Sequence, residues 1–224
     1  MKLKTICFEW MHRTWKWTQI EKIKKYLGEI WKKVYIIRWD WSRKWTNDSN
    51  YYDPESEFFK EFTENKFNKS IEDWEIASDR MQREIKIWQK RLLKKINNWD
   101  EKDVIVLVDR WPISKAILNW DLSKENLLEY TTWNWKKEKR ILPDMILSLE
   151  ADTDTLLSRF NNLDNDEQSK LRRKNIINKN IQYTEIIDKL PEEIKSKIVR
   201  IDTSKDIIII FEEIQKDVKK YFNF

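Results

Sequence analysis

Glycine is almost missing here: 1 residue in 224, beside 14 tryptophans. Ordinary usage of about 7% would supply roughly 16 glycines, so the two counts look exchanged. Cysteine is equally scarce. A single Cys7 excludes an intramolecular disulfide framework, and its place inside an apolar strand marks a packed thiol rather than a reactive one. The lone histidine, His12, excludes a His-rich metal site. No apolar run approaches the roughly 18 residues of a membrane helix, and Lys2 and Lys4 flank only a short strand-like segment rather than a leader, so a soluble cytoplasmic protein with no membrane partner is expected. No long basic block appears either. The net charge of +5, with 37% charged residues, is mixed along helices, which points away from nucleic acid and toward phosphorylated small molecules.

The strongest local signal lies between Phe8 and Gln19. A phosphate-binding loop reads G-x-x-x-x-G-K-[ST] between a strand and a helix, because bare backbone N–H groups must close around phosphate oxygens. Here Trp10 and Trp15 hold the two glycine places and Lys16 holds the lysine place. The backbone of Trp10, Met11, His12, Arg13, Thr14, Trp15, Lys16, Trp17 and Thr18 would form the cradle, at a helix N-terminus whose dipole favours anions.

Decoding accounts for the exchange. UGA is read as glycine in some bacterial codes and as tryptophan in others, so a gene of the first kind read by the second table shows tryptophan at each UGA glycine. The chain is rich in Lys, Ile and Asn, the background in which UGA is a frequent codon. Trp31 stands where a helix C-cap wants positive φ, Trp39, Trp41 and Trp45 punctuate a polar stretch, and Trp99 and Trp120 precede aspartates at turns. Trp88 lies within a helical pattern and reads as genuine. Trp74, Trp133 and Trp135 are undecided on sequence. The alternative is a Trp-rich binding module without nucleotide affinity.

Apolar runs at residues 5–9, 34–38, 104–109, 145–150 and 197–201 alternate with helical periodicity at 16–30, 54–64, 71–98, 123–130, 153–160, 170–190 and 206–222. Strands apolar on both faces belong to a parallel sheet covered by helices on both sides. The expected architecture is therefore α/β: a three-layer, doubly wound sheet of five parallel strands, one domain over residues 1–224, with ligands beyond the carboxyl ends of the strands. The polar stretch 161–174 is the candidate mobile lid, its plain alternative a solvated helix start.

With glycine at the suspect places, the segment Phe8–Gln19 resembles the start of thymidylate kinases, where Phe-Glu-Gly precedes the loop and Thr-Gln follows it. Further motifs match in order across nearly the whole chain. Arg38-Trp-Asp-Trp stands where the family has Arg-Glu-Pro-Gly, and Ala77-Ser-Asp-Arg-Met-Gln82 is similar to Ala-Ala-Asp-Arg-Ala-Gln. Asp109-Arg110 with Ser114 resembles Asp-Arg-Tyr-x-x-Ser, Leu142-Pro-Asp resembles Lys-Pro-Asp, and Ile201-Asp-Thr resembles Ile-Asp-Ala beside the adenine.

The resemblance implies a P-loop kinase making dTDP from dTMP with ATP and Mg²⁺, and a homodimer through the helices after the third strand. It implies that Lys16 reaches the β and γ phosphates and that Arg13, Arg172 and Arg173 supply guanidinium groups to the transferring phosphoryl, bidentate donors being suited to phosphate. Arg159 and Thr203 fall on the ATP side. Asp109 would order Mg²⁺ water or the acceptor, with Thr18 the hydroxyl nearest the metal because Trp17 takes the usual Ser/Thr place; an Asp–Arg pair capping a strand is the plain alternative. Arg110 and Arg38 would take the acceptor phosphate, with Asp40, Arg80, Gln82 and Ser114 nearby. His12 stands where the family has an aspartate that accepts from the sugar 3′-hydroxyl, and a histidine nitrogen can also accept. Two other readings remain open: a related kinase for another nucleoside monophosphate or nucleoside, and a P-loop protein that binds nucleotide without efficient transfer.

Overall fold

The computed structural model describes residues 2–10, 14–30, 33–37, 103–109, 114, 131–133, 136–138, 142–159 and 167–223. The expected helices at 54–64, 71–98 and 123–130 lie outside them.

Five strands, β1 (Lys2–Trp10), β2 (Lys33–Ile37), β3 (Asp103–Asp109), β6 (Met145–Glu150) and β7 (Ile198–Asp202), form one sheet in the order β2-β3-β1-β6-β7. All neighbouring pairs in it are parallel. Such strands are satisfied only if both faces are covered, and residues 104–109 of β3 are all buried. The order reverses direction between β1 and β3: the chain leaves β1 for β2 on one side, and after β3 it crosses to β6 on the other. That is the switch point at which open α/β sheets bind ligands.

Side-chain alternation sends Ile6, Phe8, Ile105, Leu107, Met145, Leu147 and Leu149 to one face. There they pack with Ile20, Ile23 and Leu27 of α1 (Lys16–Glu29) and with Ile210, Ile214 and Val218 of α5 (Ile207–Phe222). The spacings of three and four residues lay each apolar set along one stripe of its helix. Burying a side chain such as Ile214 in full contributes about 1.5–3 kcal/mol. Helix α5 starts where Asp206 accepts from Ile208 N at 2.7 Å, and it ends at Asn223, whose left-handed φ of 55° suits an asparagine.

The opposite face, carrying Cys7, Glu9 and Ser148, is met by α3 (Glu167–Lys189), where the Tyr183 hydroxyl lies 3.3 Å from Ser148 Oγ. The result is the three-layer arrangement expected from the sequence. Helix α2 (Thr153–Ser158) is capped by Asp152, which accepts from Thr155 N at 2.8 Å. Three features were not anticipated. Helix α3 opens at residue 167, three residues before the expected start at 170, and so takes in residues 167–174 of the candidate lid. A one-turn helix α4 (Glu192–Lys195) precedes β7, and an antiparallel hairpin joins β4 (Thr131–Trp133) to β5 (Lys136–Glu138). Among the described residues no helix is long and apolar enough to cross a membrane.

Candidate functional site

The carboxyl ends of β1 and β3 bring together two residues 93 positions apart in sequence. Lys16, the first residue of α1, donates to Asp109 Oδ1 at the last position of β3, and both side chains are buried, 3% and 2% exposed. Taking an ammonium and a carboxylate out of water costs several kcal/mol each, so each requires the other or an equivalent charge. Trp17 adds a second attraction, its ring centroid 4.4 Å from Lys16 Nζ. The ammonium is thus fixed at the N-terminus of α1, where the helix dipole already favours an anion.

Trp15, just before the lysine, has φ 59° and ψ 18°. Among the described residues only Trp15 and Asn223 have positive φ outside glycine. For a bulky aromatic this is an outlier, whereas glycine adopts it freely. The one glycine, Gly28, lies in α1 without positive φ and with open space where a Cβ would go, so nothing there requires it.

The Trp15 ring, 46% exposed, lies 5.5 Å from the Arg159 guanidinium carbon. Arg159 follows α2 and donates through Nη2 to Thr203 O. Partial burial lowers its pKa from the ordinary value, and Asp152 and Asp202 oppose that shift. Thr203 is itself buried, its N and Oγ1 donating to Glu150 O at 2.7 and 2.8 Å. Trp15, Arg159 and Thr203 therefore form a line from the start of α1 to the turn after β7.

A second polar cluster lies on the α3 face, and sequence reasoning assigned most of it no role. Glu9 is fully buried and accepts from Ser114 N at 3.1 Å and from Ser114 Oγ at 2.5 Å. Glu9 neighbours Ser148 across the β1–β6 ladder, and Ser148 Oγ donates to Glu150 Oε1 at 2.7 Å. Burial raises the Tyr183 hydroxyl well above its ordinary pKa, with Glu9 the next cause. The Cys7 thiol is raised for the same two reasons in the same order. Glu9 follows Phe8 in the motif preceding the loop, but only the placement of residue 114 beneath β1 shows what its carboxylate meets.

Thr14 is buried and Thr18 exposed on the first turn of α1. Trp10 ends β1, and Arg172 and Arg173 lie in α3, Arg173 with a buried Nε that has no hydrogen-bond partner. Met11, His12, Arg13, Arg38, Asp40, Arg80, Gln82 and Arg110 lie outside the described residues. Among the described residues no group of three His, Cys, Asp or Glu is placed to hold a metal ion. One carboxylate at a strand end still fits Mg²⁺, which is held by one or two carboxylates together with substrate phosphates rather than by an all-protein cage. A separate open cleft of about 730 Å³ at the ends of β6 and β7 is lined by Glu150, Asp152 and Asp202, with Arg200 already paired to Glu150 and Asp188 at 3.5 and 3.0 Å. Its carboxylates would repel phosphate.

No protein-family model matches the chain, and no curated protein matches it in sequence. Solved structures do. A thymidylate kinase from Candida albicans, described as having broad substrate specificity, aligns at 16% identity over 98% of this chain and 92% of its own, with a TM-score of 0.51. A thymidylate kinase from Ehrlichia chaffeensis aligns at 16% identity over 98% of this chain and 99% of its own, with a TM-score of 0.53. The switch point, the strand order and this full-length alignment agree: the chain has the fold of the thymidylate kinases.

Proposed function

We propose that the protein is a nucleoside monophosphate kinase that transfers the ATP γ-phosphoryl group to dTMP, and that residues 10, 15 and 17 are glycine in the natural protein. The observation that carries this reading is the buried Lys16–Asp109 pair at the switch point, directly after a residue in a left-handed conformation. A lysine held by a carboxylate at a helix N-terminus can exchange that partner for phosphate without moving far from it.

Phosphoryl transfer depends on positioning and charge neutralisation. Lys16 turns from Asp109 to the β and γ phosphates, and Asp109 is then available to Mg²⁺ together with Thr18. The ion supplies charge neutralisation on the phosphate oxygens. Arg13, with Arg172 and Arg173, places guanidinium groups on the transferring phosphoryl. Arg159 and the turn at Thr203 take the base side of ATP. Arg110 and Arg38 grip the acceptor phosphate, with His12, Asp40, Arg80, Gln82 and Ser114 around the nucleoside. An acceptor phosphate oxygen attacks the γ phosphorus, the bond to the β–γ bridging oxygen breaks, and ADP leaves with that electron pair. The resemblance to thymidylate kinases supports extending the proposal to a homodimer.

The chain as written supports a second reading for itself. The Trp15 indole against Arg159 occupies the line from phosphate loop to base turn, so the written chain is a poor nucleotide binder. Calorimetry with ATP on the written chain and on the Trp10→Gly, Trp15→Gly, Trp17→Gly variant compares the two. The variant should bind ATP much more tightly; equal affinity would remove the cradle assignment. Its ADP production with a panel of monophosphates then tests the acceptor. Higher kcat/KM for another monophosphate, with dTMP inert, reassigns the substrate and leaves the kinase; no turnover with any of them leaves a nucleotide-binding protein. Codons 10, 15 and 17 of the gene should read UGA.

A further inference from the structure

Gln19 carries a buried amide on the core-facing stripe of α1, between Lys16 and Ile23 and beside Ile20. Its side chain is fully buried, with Nε2 donating to Ile207 O at 3.0 Å and Oε1 making no hydrogen bond. The amide cannot be turned over without setting Oε1 against Ile207 O, acceptor against acceptor. A buried acceptor without a partner is destabilising, whereas a leucine of similar size would pack here at no such cost. Stability therefore does not account for the amide, and its geometry does.

Gln19 N closes the first turn of α1 on Trp15 O at 3.1 Å, next to Lys16. Ile207 opens α5 and directly follows the turn 203–206. That turn is already fixed to the ends of β6 and β7: Thr203 bonds Glu150 O, and Ser204 N and Oγ donate to Asp202 Oδ1 at 2.9 and 2.6 Å. Arg159 holds Thr203 O from the other side. The Gln19 amide ties this turn to the helix that carries the phosphate loop.

We propose that Gln19 is a positioning residue that sets the distance between the phosphate loop and the base-side turn at Thr203, and so matches the site to a nucleoside triphosphate rather than to phosphate alone. This rests on the kinase reading above. It is tested in the full chain carrying Trp10→Gly, Trp15→Gly and Trp17→Gly, with ATP and inorganic tripolyphosphate as separate calorimetric probes. Gln19→Leu and Gln19→Glu both lose the donor to Ile207 O. Each should weaken ATP by about fivefold, the worth of one hydrogen bond, and leave tripolyphosphate unchanged. Gln19→Leu should also keep or raise the Tm. Equal loss for both ligands with a lowered Tm would make Gln19 a packing residue only, and unchanged ATP affinity would overturn the proposal outright. If the parent variant binds neither ligand, the kinase reading fails, and this inference with it. Binding of tripolyphosphate but not ATP by the parent would preserve the phosphate loop and overturn the base-side turn on which Gln19 is placed.

Discussion

Single residues carry the clearest mismatch between side chain and backbone. Trp15 holds a conformation that costs an L-residue roughly 1–2 kcal/mol, while Gly28 occupies a helix position where a Cβ would meet nothing. Trp15→Gly should therefore raise stability by about 1 kcal/mol in denaturant unfolding. Trp15→Ala should give less, because alanine pays the same left-handed penalty. At position 28 the order reverses: Gly28→Ala should stabilise by up to about 1 kcal/mol. Alanine outperforming glycine at 15 would remove the conformational argument for glycine there. A demand for glycine-like backbone was legible in the sequence at this position because the loop motif names its glycines. The buried roles of Glu9 and Gln19 were not, since polar residues in a strand and a helix normally read as solvent-facing.

At the level of elements, the strand pairing of β4 and β5 motivates a prediction for a tryptophan that sequence left open. Register pairs Trp133 with Lys136 across antiparallel strands, and Asn134-Trp135 stands between them in sequence. Two-residue connections of this kind favour Asn-Gly, because positive φ at both central residues matches the strand twist. Position 133 lies in the strand itself, where an aromatic is at home. The expected outcome is UGA at codon 135 and UGG at codon 133, read from the gene; UGG at 135 would end this assignment. Strands β1, β3 and β6 were legible from apolar runs to within a few residues. The hairpin was missed because three-residue strands show no periodicity, and the start of α3 was placed three residues late because its first turn, residues 167–170, is entirely polar.

The whole molecule sets the response to alkali. Burial raises the Cys7 thiol above 9.0 and the Tyr183 hydroxyl above 10.0. Both groups stay protonated in the folded chain at a pH where the unfolded chain has begun to release them. Their contribution to stability is complete below the unfolded pKa values and is lost as pH rises toward the folded ones. Unfolding free energy should therefore fall from about pH 9 upward. In Cys7→Ala the fall should begin about one pH unit later, where tyrosine titrates. A pH-independent stability between 9 and 10.5 in the parent, on the order of that window, would contradict the burial of both groups.

Local composition and periodicity determined the class of this protein: short β-rich runs apolar on both faces, alternating with helical stripes, allow little besides a covered parallel sheet. The glycine-demanding loop before Lys16 was written in the same local terms. What only the tertiary structure decided is adjacency. Nothing in the spacing of Lys16 and Asp109 says that they meet; β3 had to insert beside β1, with β2 displaced to the edge, before the ammonium and the carboxylate shared one buried point. The same holds for Arg159 with Thr203 and for Gln19 with Ile207, pairs joined by the packing of α2, β7, α1 and α5. The physical reason is range. Backbone preference and side-chain periodicity act over a few residues, whereas the charges and buried amides that make the site act through space between segments whose order in the sheet is a property of the whole fold.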